Sequence, residues 1–140
     1  METTGQFLFV YGTLLQAGNE FAEYLNKHCK FISDGKIKGQ LYDIGEYPGA
    51  VIDNTEERYI YGSIFMMDDP ETILKVIDDY EGIGDLYRHP QEYTRDEVAI
   101  HTDNGIISCW MYLYNLPVAS YKEVITGNYV QYLKDATAPQ

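Results

Sequence analysis

Residues 92–114, which read EYTRDEVAIHTDNGIISCWMYLY, decide the fold because they hold two strand patterns joined by a tight-turn signal. The segments 92–101 and 106–114 are rich in β-branched and aromatic residues, which favour the pleated surface of a sheet. Between them lie Asp103, Asn104 and Gly105, and Asn-Gly is the strongest short signal for a hairpin turn. This stretch is therefore predicted to form an antiparallel hairpin.

Further strands are predicted on the N-terminal side of this hairpin. They occupy residues 6–11, 30–33, 36–44, 50–52 and 58–67. Asp34-Gly35 is a turn signal between the second and the third of them. Gly39 and Gly62 stand inside two of the long strands, where glycine commonly marks a bend, so we expect a strongly curved sheet or a partly closed barrel.

Short helices are predicted between and after these strands. Their start signals are Asn19, Asp69 followed by Pro70, and the capping box of Ser120 and Glu123. The middle helix should end at Gly82 and bury a stripe of Ile73, Leu74, Ile77 and Tyr80. A further helical turn is expected around residues 129–134. Because strands and helices do not alternate regularly, the predicted class is α+β with mostly antiparallel strands.

The 140 residues suit one domain, predicted over residues 1–140, and they carry a formal net charge of −12. This charge argues against binding to nucleic acid or to a membrane surface, both of which need cationic side chains. The N-terminus lacks a signal-peptide pattern, so a cytoplasmic location is expected. Cys29 and Cys109 are interpreted as buried, reduced thiols, and the histidines show no spacing typical of a zinc site.

The first candidate site is Tyr11-Gly12-Thr13-Leu14, directly after the first predicted strand. A strand that runs into Gly-Thr can offer successive free backbone N–H groups, and such a concavity can hold a carboxylate or phosphate without a basic side chain. The alternative is an ordinary turn that ends a strand, since the spacing is not that of a nucleotide-binding loop.

The second candidate is Glu81, at the C-terminal end of the predicted middle helix. The negative end of the helix dipole and the neighbouring Asp78, Asp79 and Asp85 disfavour another negative charge there, and nearby tyrosines would add desolvation. These effects are expected to raise the pKa of the Glu81 carboxyl towards neutrality, where it could accept and return a proton. The alternative is a solvated acidic helix end.

A third element, Tyr93-Thr94-Arg95, places Tyr93 and Arg95 on one face of a strand. Arg95 could pair with one of the nearby carboxylates and hold the acidic helix end in place. The alternative is a surface ion pair worth less than about 1 kcal/mol.

Taken in order, four motifs resemble the γ-glutamylcyclotransferase-like family, in particular its γ-glutamylamine cyclotransferase, AIG2-like branch. They are Phe9-Val10-Tyr11-Gly12-Thr13-Leu14, Tyr47-Pro48-Gly49-Ala50, Asp78-Asp79-Tyr80-Glu81-Gly82, and Tyr93-Thr94-Arg95 followed by Val98. The resemblance runs from about Phe7 to Tyr114. It implies a small mixed, mostly antiparallel β-barrel with flanking short helices.

The resemblance also implies a reaction: intramolecular aminolysis of an L-γ-glutamyl amine or amino acid, which yields 5-oxoproline and a free amine. By the same resemblance, the backbone of Tyr11, Gly12, Thr13 and Leu14 would bind the glutamyl group and Glu81 would be the acid/base. Tyr114 would be a pocket tyrosine. No metal or cofactor is implied, and the expected partner is a small γ-glutamyl substrate.

The residues between Gly82 and Tyr93 depart from the simplest family pattern, and this longer segment is interpreted as a lid beside the site. Within it, Tyr87 and Arg88 offer a second match to the Tyr-Arg element. Two other functions stay open: a non-catalytic protein of the same fold that binds a small carboxylate, and a biosynthetic enzyme that removes a γ-glutamyl group. The sequence carries no signal for an oligomeric state.

Overall fold

The computed structural model describes residues 6–11, 20–44, 48–53, 55, 57–81, 93–129 and 131–132, with the backbone only for residues 20–22 and 79–81. The strands are β1 (Phe7–Val10), β2 (Cys29–Asp43), β3 (Pro48–Ile52), β4 (Tyr59–Met67), β5 (Tyr93–Thr102), β6 (Gly105–Tyr114) and β7 (Lys122–Glu123). The helices are α1 (Glu20–His28) and α2 (Pro70–Glu81).

Five of the strands close into a barrel. The sheet order is β3-β2-β4-β1-β6-β5, and β5 returns to pair with β2 at Lys36 and His101. β3 and β7 add to β2 outside this ring. β1 runs parallel to β6 and the other neighbours are antiparallel, so the barrel is mixed. The predicted α+β class and small mixed barrel are confirmed.

The β5–β6 hairpin forms as the Asn-Gly signal predicts. Thr102 pairs with Gly105 across the two-residue turn. The Thr102 hydroxyl donates to the Gly105 carbonyl at 2.7 Å and accepts from the Asn104 N–H at 3.1 Å. These bonds satisfy the polar groups of the turn and set the register of the whole hairpin, from Tyr93–Tyr114 to Thr102–Gly105.

Buried side chains form two clusters, one inside the barrel and one outside it. The interior cluster includes Phe9, Tyr11, Ile60, Ile64, Ile100 and Met111. The outer cluster lies between the barrel wall and the helices and includes Leu8, Leu25, Ile73, Leu74, Ile77 and Tyr112. The predicted stripe of α2 is thus confirmed for Ile73, Leu74 and Ile77, while the Tyr80 side chain and Gly82 lie outside the described residues.

The turn predicted at Asp34-Gly35 is wrong, because β2 runs unbroken from Cys29 to Asp43 with a local register shift between Phe31 and Ser33. A Cβ atom on Gly35 would lie 2.5 Å from Cγ2 of Ile100. The glycine is therefore required where β2 approaches β5 and the barrel closes, and the local turn signal gives way to that packing.

The helix predicted from Ser120 is also wrong, because the segment pairs with β2 as β7. Glu123 lies opposite Tyr42, and the Val124 N–H donates to the Leu41 carbonyl at 2.6 Å. Val124 is buried in the barrel interior, so tertiary burial overrides the capping box. The later helical turn does form, with the Tyr132 N–H bound to the Asn128 carbonyl at 2.9 Å. Among the described residues, no helix is long and apolar enough to cross a membrane.

Candidate functional site

The carboxyl ends of β1 and β6 meet at one end of the barrel because the two strands are parallel. Tyr11, the residue after β1, is buried, and its hydroxyl donates to the backbone carbonyl of Tyr112. The chain leaves this point directly into Gly12, Thr13 and Leu14, which lie outside the described residues. The predicted glutamyl-binding segment therefore starts at the end of the barrel where β6 also ends.

Helix α2 brings Glu81 to the same part of the molecule. Glu81 is the last residue of the helix, and its side chain lies outside the described residues. One turn earlier, the Asp78 carboxylate accepts hydrogen bonds from Arg95 Nε at 2.8 Å, Arg95 Nη2 at 2.9 Å and the Tyr112 hydroxyl at 2.6 Å. The C-terminal turn of α2 is thereby tied to both β5 and β6.

The Arg95–Asp78 pair confirms that Arg95 pairs with one of the nearby carboxylates at the acidic end of the helix. The two side chains are 25% and 19% exposed, and the contact is bidentate, so it is shielded more than an ordinary surface pair. The guanidinium also lies over the ring of Trp110, 4.7 Å from its centroid. The strand register explains this stacking, because Arg95 lies opposite Tyr112 and Trp110 lies two residues before Tyr112 on the same face.

The pairing corrects one part of the expectation for Glu81. Asp78 was expected to repel a charge on Glu81, but its carboxylate is paired with the Arg95 guanidinium. The repulsion from Asp78 is therefore largely offset. A contribution of the helix dipole to the pKa of Glu81 remains a prediction.

Tyrosines form a wall beside these groups. Tyr114 and Tyr93 are both buried, lie opposite each other in the hairpin, and meet edge to face with centroids 5.5 Å apart. The Tyr93 hydroxyl donates to the Pro48 carbonyl at 2.6 Å. A Cβ atom on Gly49 would lie 2.9 Å from Cβ of Tyr114, so only glycine fits there. Pro48 and Gly49 of the Tyr47-Pro48-Gly49-Ala50 motif thus contact Tyr93 and Tyr114 and fix their positions.

Sequence reasoning missed Tyr112 and the part that Asp78 plays. Tyr112 contacts both predicted site segments, through its carbonyl to Tyr11 and through its hydroxyl to Asp78. The alternation of Trp110, Tyr112 and Tyr114 along β6 places all three on one face, and this pattern was the available signal. The alternation does not predict which carboxylate contacts this face of β6.

Both cysteines are free thiols; Cys109 is buried as interpreted, whereas Cys29 is only partly buried. Burial raises the pKa of the Cys29 thiol to about 11, with a further contribution from Asp68. Burial raises the pKa of the Cys109 thiol to about 12, with a further contribution from Glu97. Both are protonated at neutral pH, so neither is an activated nucleophile. Within the described part of the chain, no cluster of His, Cys, Asp or Glu could hold a metal ion.

The model of the γ-glutamyl cyclotransferase, AIG2-like family matches residues 8–131 of this chain. The chain belongs to this family. Among its relatives, the γ-glutamylcyclotransferase family protein YtfP of Escherichia coli is 31% identical over 125 residues, which cover 88% of this chain and 95% of YtfP. The family resemblance noted in the sequence is therefore confirmed.

Solved structures share the fold. YkqA from Bacillus subtilis matches with a TM-score of 0.74 and 24% identity, covering 98% of this chain and 44% of YkqA. This chain thus spans less than half of the YkqA chain. An AIG2-like protein from Mus musculus matches with a TM-score of 0.70 and 20% identity, covering 96% of this chain and 90% of that protein. Both likenesses agree with the barrel described above.

Proposed function

We propose that this protein is a γ-glutamylcyclotransferase that converts an L-γ-glutamyl amine or amino acid into 5-oxoproline and a free amine. In this proposal Glu81 is the general acid/base, and the backbone of Tyr11, Gly12, Thr13 and Leu14 binds the glutamyl group. Tyr114 lines the pocket. The observation that carries the proposal is the convergence of the two motif segments on Tyr112: Tyr11 binds its carbonyl, and Asp78, one turn before Glu81, binds its hydroxyl.

The reaction requires no nucleophile from the protein, because the α-amine of the substrate attacks its own γ-carbonyl carbon. At neutral pH this amine is largely an ammonium, so a base has to take up one proton first. Glu81 is assigned that role and returns this proton to the departing nitrogen as the amide C–N bond breaks. The attacking nitrogen gives up a second proton once the new C–N bond has formed, and Glu81 passes it to the same amine, which leaves as an ammonium. The high pKa of the described thiols agrees with a mechanism that does not use them.

Orientation is the second requirement. The glutamyl chain has to fold so that its nitrogen meets its own carbonyl, and well-oriented intramolecular attack can be worth roughly 7–11 kcal/mol. In this proposal, backbone N–H groups after Tyr11 fix the substrate α-carboxylate, while the buried Tyr93 and Tyr114 present a rigid wall at the same end of the barrel. A negatively charged protein can bind a carboxylate in this way without a basic side chain.

The decisive experiment is a turnover assay on γ-glutamyl amines and γ-glutamyl dipeptides that detects 5-oxoproline. Glu81→Gln is expected to fold normally and to lower kcat by at least about 100-fold, the usual contribution of a positioned acid/base group. Glu71→Gln is the matched control, because Glu71 is exposed in the first turn of the same helix. It should retain full activity.

Unchanged turnover in Glu81→Gln would contradict the mechanism. If the unmodified protein forms no 5-oxoproline from any of these substrates but binds 5-oxoproline in calorimetry, the non-catalytic binding protein is the better description.

A further inference from the structure

We propose that Asp78, Arg95, Trp110 and Tyr112, here named the Asp78 network, are positioning residues that hold the Glu81 turn of α2 in register with the Tyr11 segment. The inference rests on the proposed function, because it assigns the network to the acid/base and binding segments named there. It goes further by giving a task to side chains that have no direct role in the chemistry.

Asp78 is the one side chain in the last turn of α2 that the structure describes, and the network anchors it to the barrel. The helix carries no basic residue in that turn to interact with its own C-terminal carbonyls. Both oxygens of Asp78 are instead occupied, Oδ1 by Arg95 Nε and the Tyr112 hydroxyl, and Oδ2 by Arg95 Nη2. A bidentate contact fixes direction as well as distance, so it can set the rotation of the helix end.

Tyr112 makes the network a link between two segments rather than a local clamp. Its hydroxyl binds the helix through Asp78, and its backbone carbonyl binds the hydroxyl of Tyr11. Both bonds are made by the same residue, and Tyr112 lies in a paired strand, which is rigid compared with a loop. A shift of the helix end is therefore transmitted to the start of the Tyr11 segment, and the reverse also holds.

Charge gives a readout that a purely structural role would not produce. Position 81 lies one turn from Asp78 on the same face of α2. The titratable or charged side chains described on the elements at this end are Lys75 and Asp78 on α2, Tyr93, Arg95, Asp96 and Glu97 on β5, and Tyr112 and Tyr114 on β6. Tyrosines are ordinarily neutral where a carboxyl titrates, so among the described groups Asp78 and Arg95 are the charges in contact with the last turn of α2.

Removing one partner or the other should therefore move the Glu81 carboxyl in opposite directions. Asp78→Asn leaves the Arg95 charge unpaired, which favours the ionised carboxylate and lowers the pKa of Glu81. Arg95→Gln leaves the Asp78 charge unpaired, which disfavours ionisation of the Glu81 carboxyl and raises its pKa. A general loosening of the helix end would move both variants the same way.

The experiment is a ¹³C NMR titration of the Glu81 carboxyl in these variants. We expect a decrease of about 0.5 pH unit or more in Asp78→Asn and an increase of similar size in Arg95→Gln. Asp68→Asn is the matched control for the first, because Asp68 lies just before the opposite end of α2. Arg58→Gln is the control for the second, because Arg58 pairs with Glu123 of β7. Both controls should leave the titration unchanged.

Kinetics test the positioning role separately. In Asp78→Asn and Tyr112→Phe, kcat for 5-oxoproline formation should fall about 10-fold or more while KM changes little, since misplacement of a reacting group by about 1 Å can cost a factor of 100. Arg95→Lys keeps the charge without the planar fork, so it should restore the Glu81 titration while kcat stays low.

The two proposals fail in different ways. If no γ-glutamyl substrate is turned over but the Glu81 titration moves in opposite directions, the proposed function fails and the coupling of the Asp78 network to Glu81 stands. If turnover occurs but the titration stays the same or moves one way in both variants, the coupling is overturned. A kcat that is unchanged in Asp78→Asn and Tyr112→Phe overturns the positioning role as well.

Discussion

At the N-terminal end of α2, Asp69 binds the N–H and the hydroxyl of Thr72, three residues away, at 3.4 and 2.8 Å. At the C-terminal end, Asp78 binds Arg95 and Tyr112, which lie 17 and 34 residues further along the chain. The first aspartate starts the helix, and the second docks it on the barrel. The same residue type therefore contributes local order at one end and tertiary position at the other.

Exposure separates the two ends as well. The contact beside the N-terminal end, between His28 Nδ1 and Asp68 Oδ2, spans 3.4 Å, and its two side chains are 37% and 58% exposed. The Arg95–Asp78 pair is less than half as exposed on the aspartate side and also carries a tyrosine hydroxyl. Mutations at the two ends should consequently differ in how much they lower the free energy of unfolding. They should also differ in which second substitution restores it.

The largest effect on stability is expected from Asp78→Ala. This change leaves the Arg95 charge and the Tyr112 hydroxyl without their described carboxylate partner in a partly buried place, and it should lower the free energy of unfolding by about 2–3 kcal/mol. Chemical denaturation measures the loss.

The double variant Asp78→Ala, Arg95→Met is the control. Because it removes both charges, it should recover part of the stability. If Arg95→Met lowers the free energy of unfolding of Asp78→Ala by as much again as Asp78→Ala alone did, the two side chains act independently. The anchoring role is then wrong.

Asp69→Ala should cost less, about 1 kcal/mol, since it removes an N-cap whose partners are exposed. Asp69→Ser is the matched control, because serine also accepts a hydrogen bond at this position and should retain most of the stability. A loss in Asp69→Ala as large as that in Asp78→Ala would remove the distinction between a local and a tertiary aspartate.

This contrast also explains which parts of the molecule the sequence could predict. The Asp69-Pro70 start of α2 and the Asn104-Gly105 hairpin depend on neighbours along the chain, and both predictions are confirmed. The partner of Arg95 depends on how α2 lies against β5 and β6. The sequence offered several acidic residues near the end of the helix, and only the fold selects Asp78.

The wrong predictions have the same origin. Asp34-Gly35 has the local pattern of a turn, but Gly35 is used for the close approach of β2 to Ile100. Ser120 and Glu123 have the spacing of a capping box, but burial of Val124 and the open edge of β2 make the segment a strand. In both places a long-range contact outweighs a local preference, as it does for Asp78.

A smaller effect is expected at the exposed pair beside the N-terminal end. Asp68→Asn should change the free energy of unfolding by no more than about 0.5 kcal/mol, because both side chains of the His28–Asp68 contact are exposed to solvent. The change should shrink further at high salt. A salt-independent loss of several times this size would mean that the His28–Asp68 pair is an anchor like Arg95–Asp78.

The smallest effect concerns the Cys29 thiol near Asp68. Burial is the main cause that raises its pKa from 9.0 to about 11, and the Asp68 charge is the second. The folded state therefore holds this proton more tightly than the unfolded chain, so the associated stability is present below the ordinary thiol pKa and is lost as the pH rises towards about 11. Asp68→Asn should lower this pKa slightly, and native-state alkylation of Cys29 should become modestly faster in mildly alkaline buffer.

Cys109 provides the internal control, because burial and Glu97, not Asp68, raise the pKa of its thiol. Its alkylation rate should be the same with and without Asp68→Asn. An equal acceleration at both cysteines would point to opening of the fold rather than to a change of charge. The N-terminal end of α2 would then contribute to tertiary stability after all, and the difference between Asp68 or Asp69 and Asp78 would be one of degree.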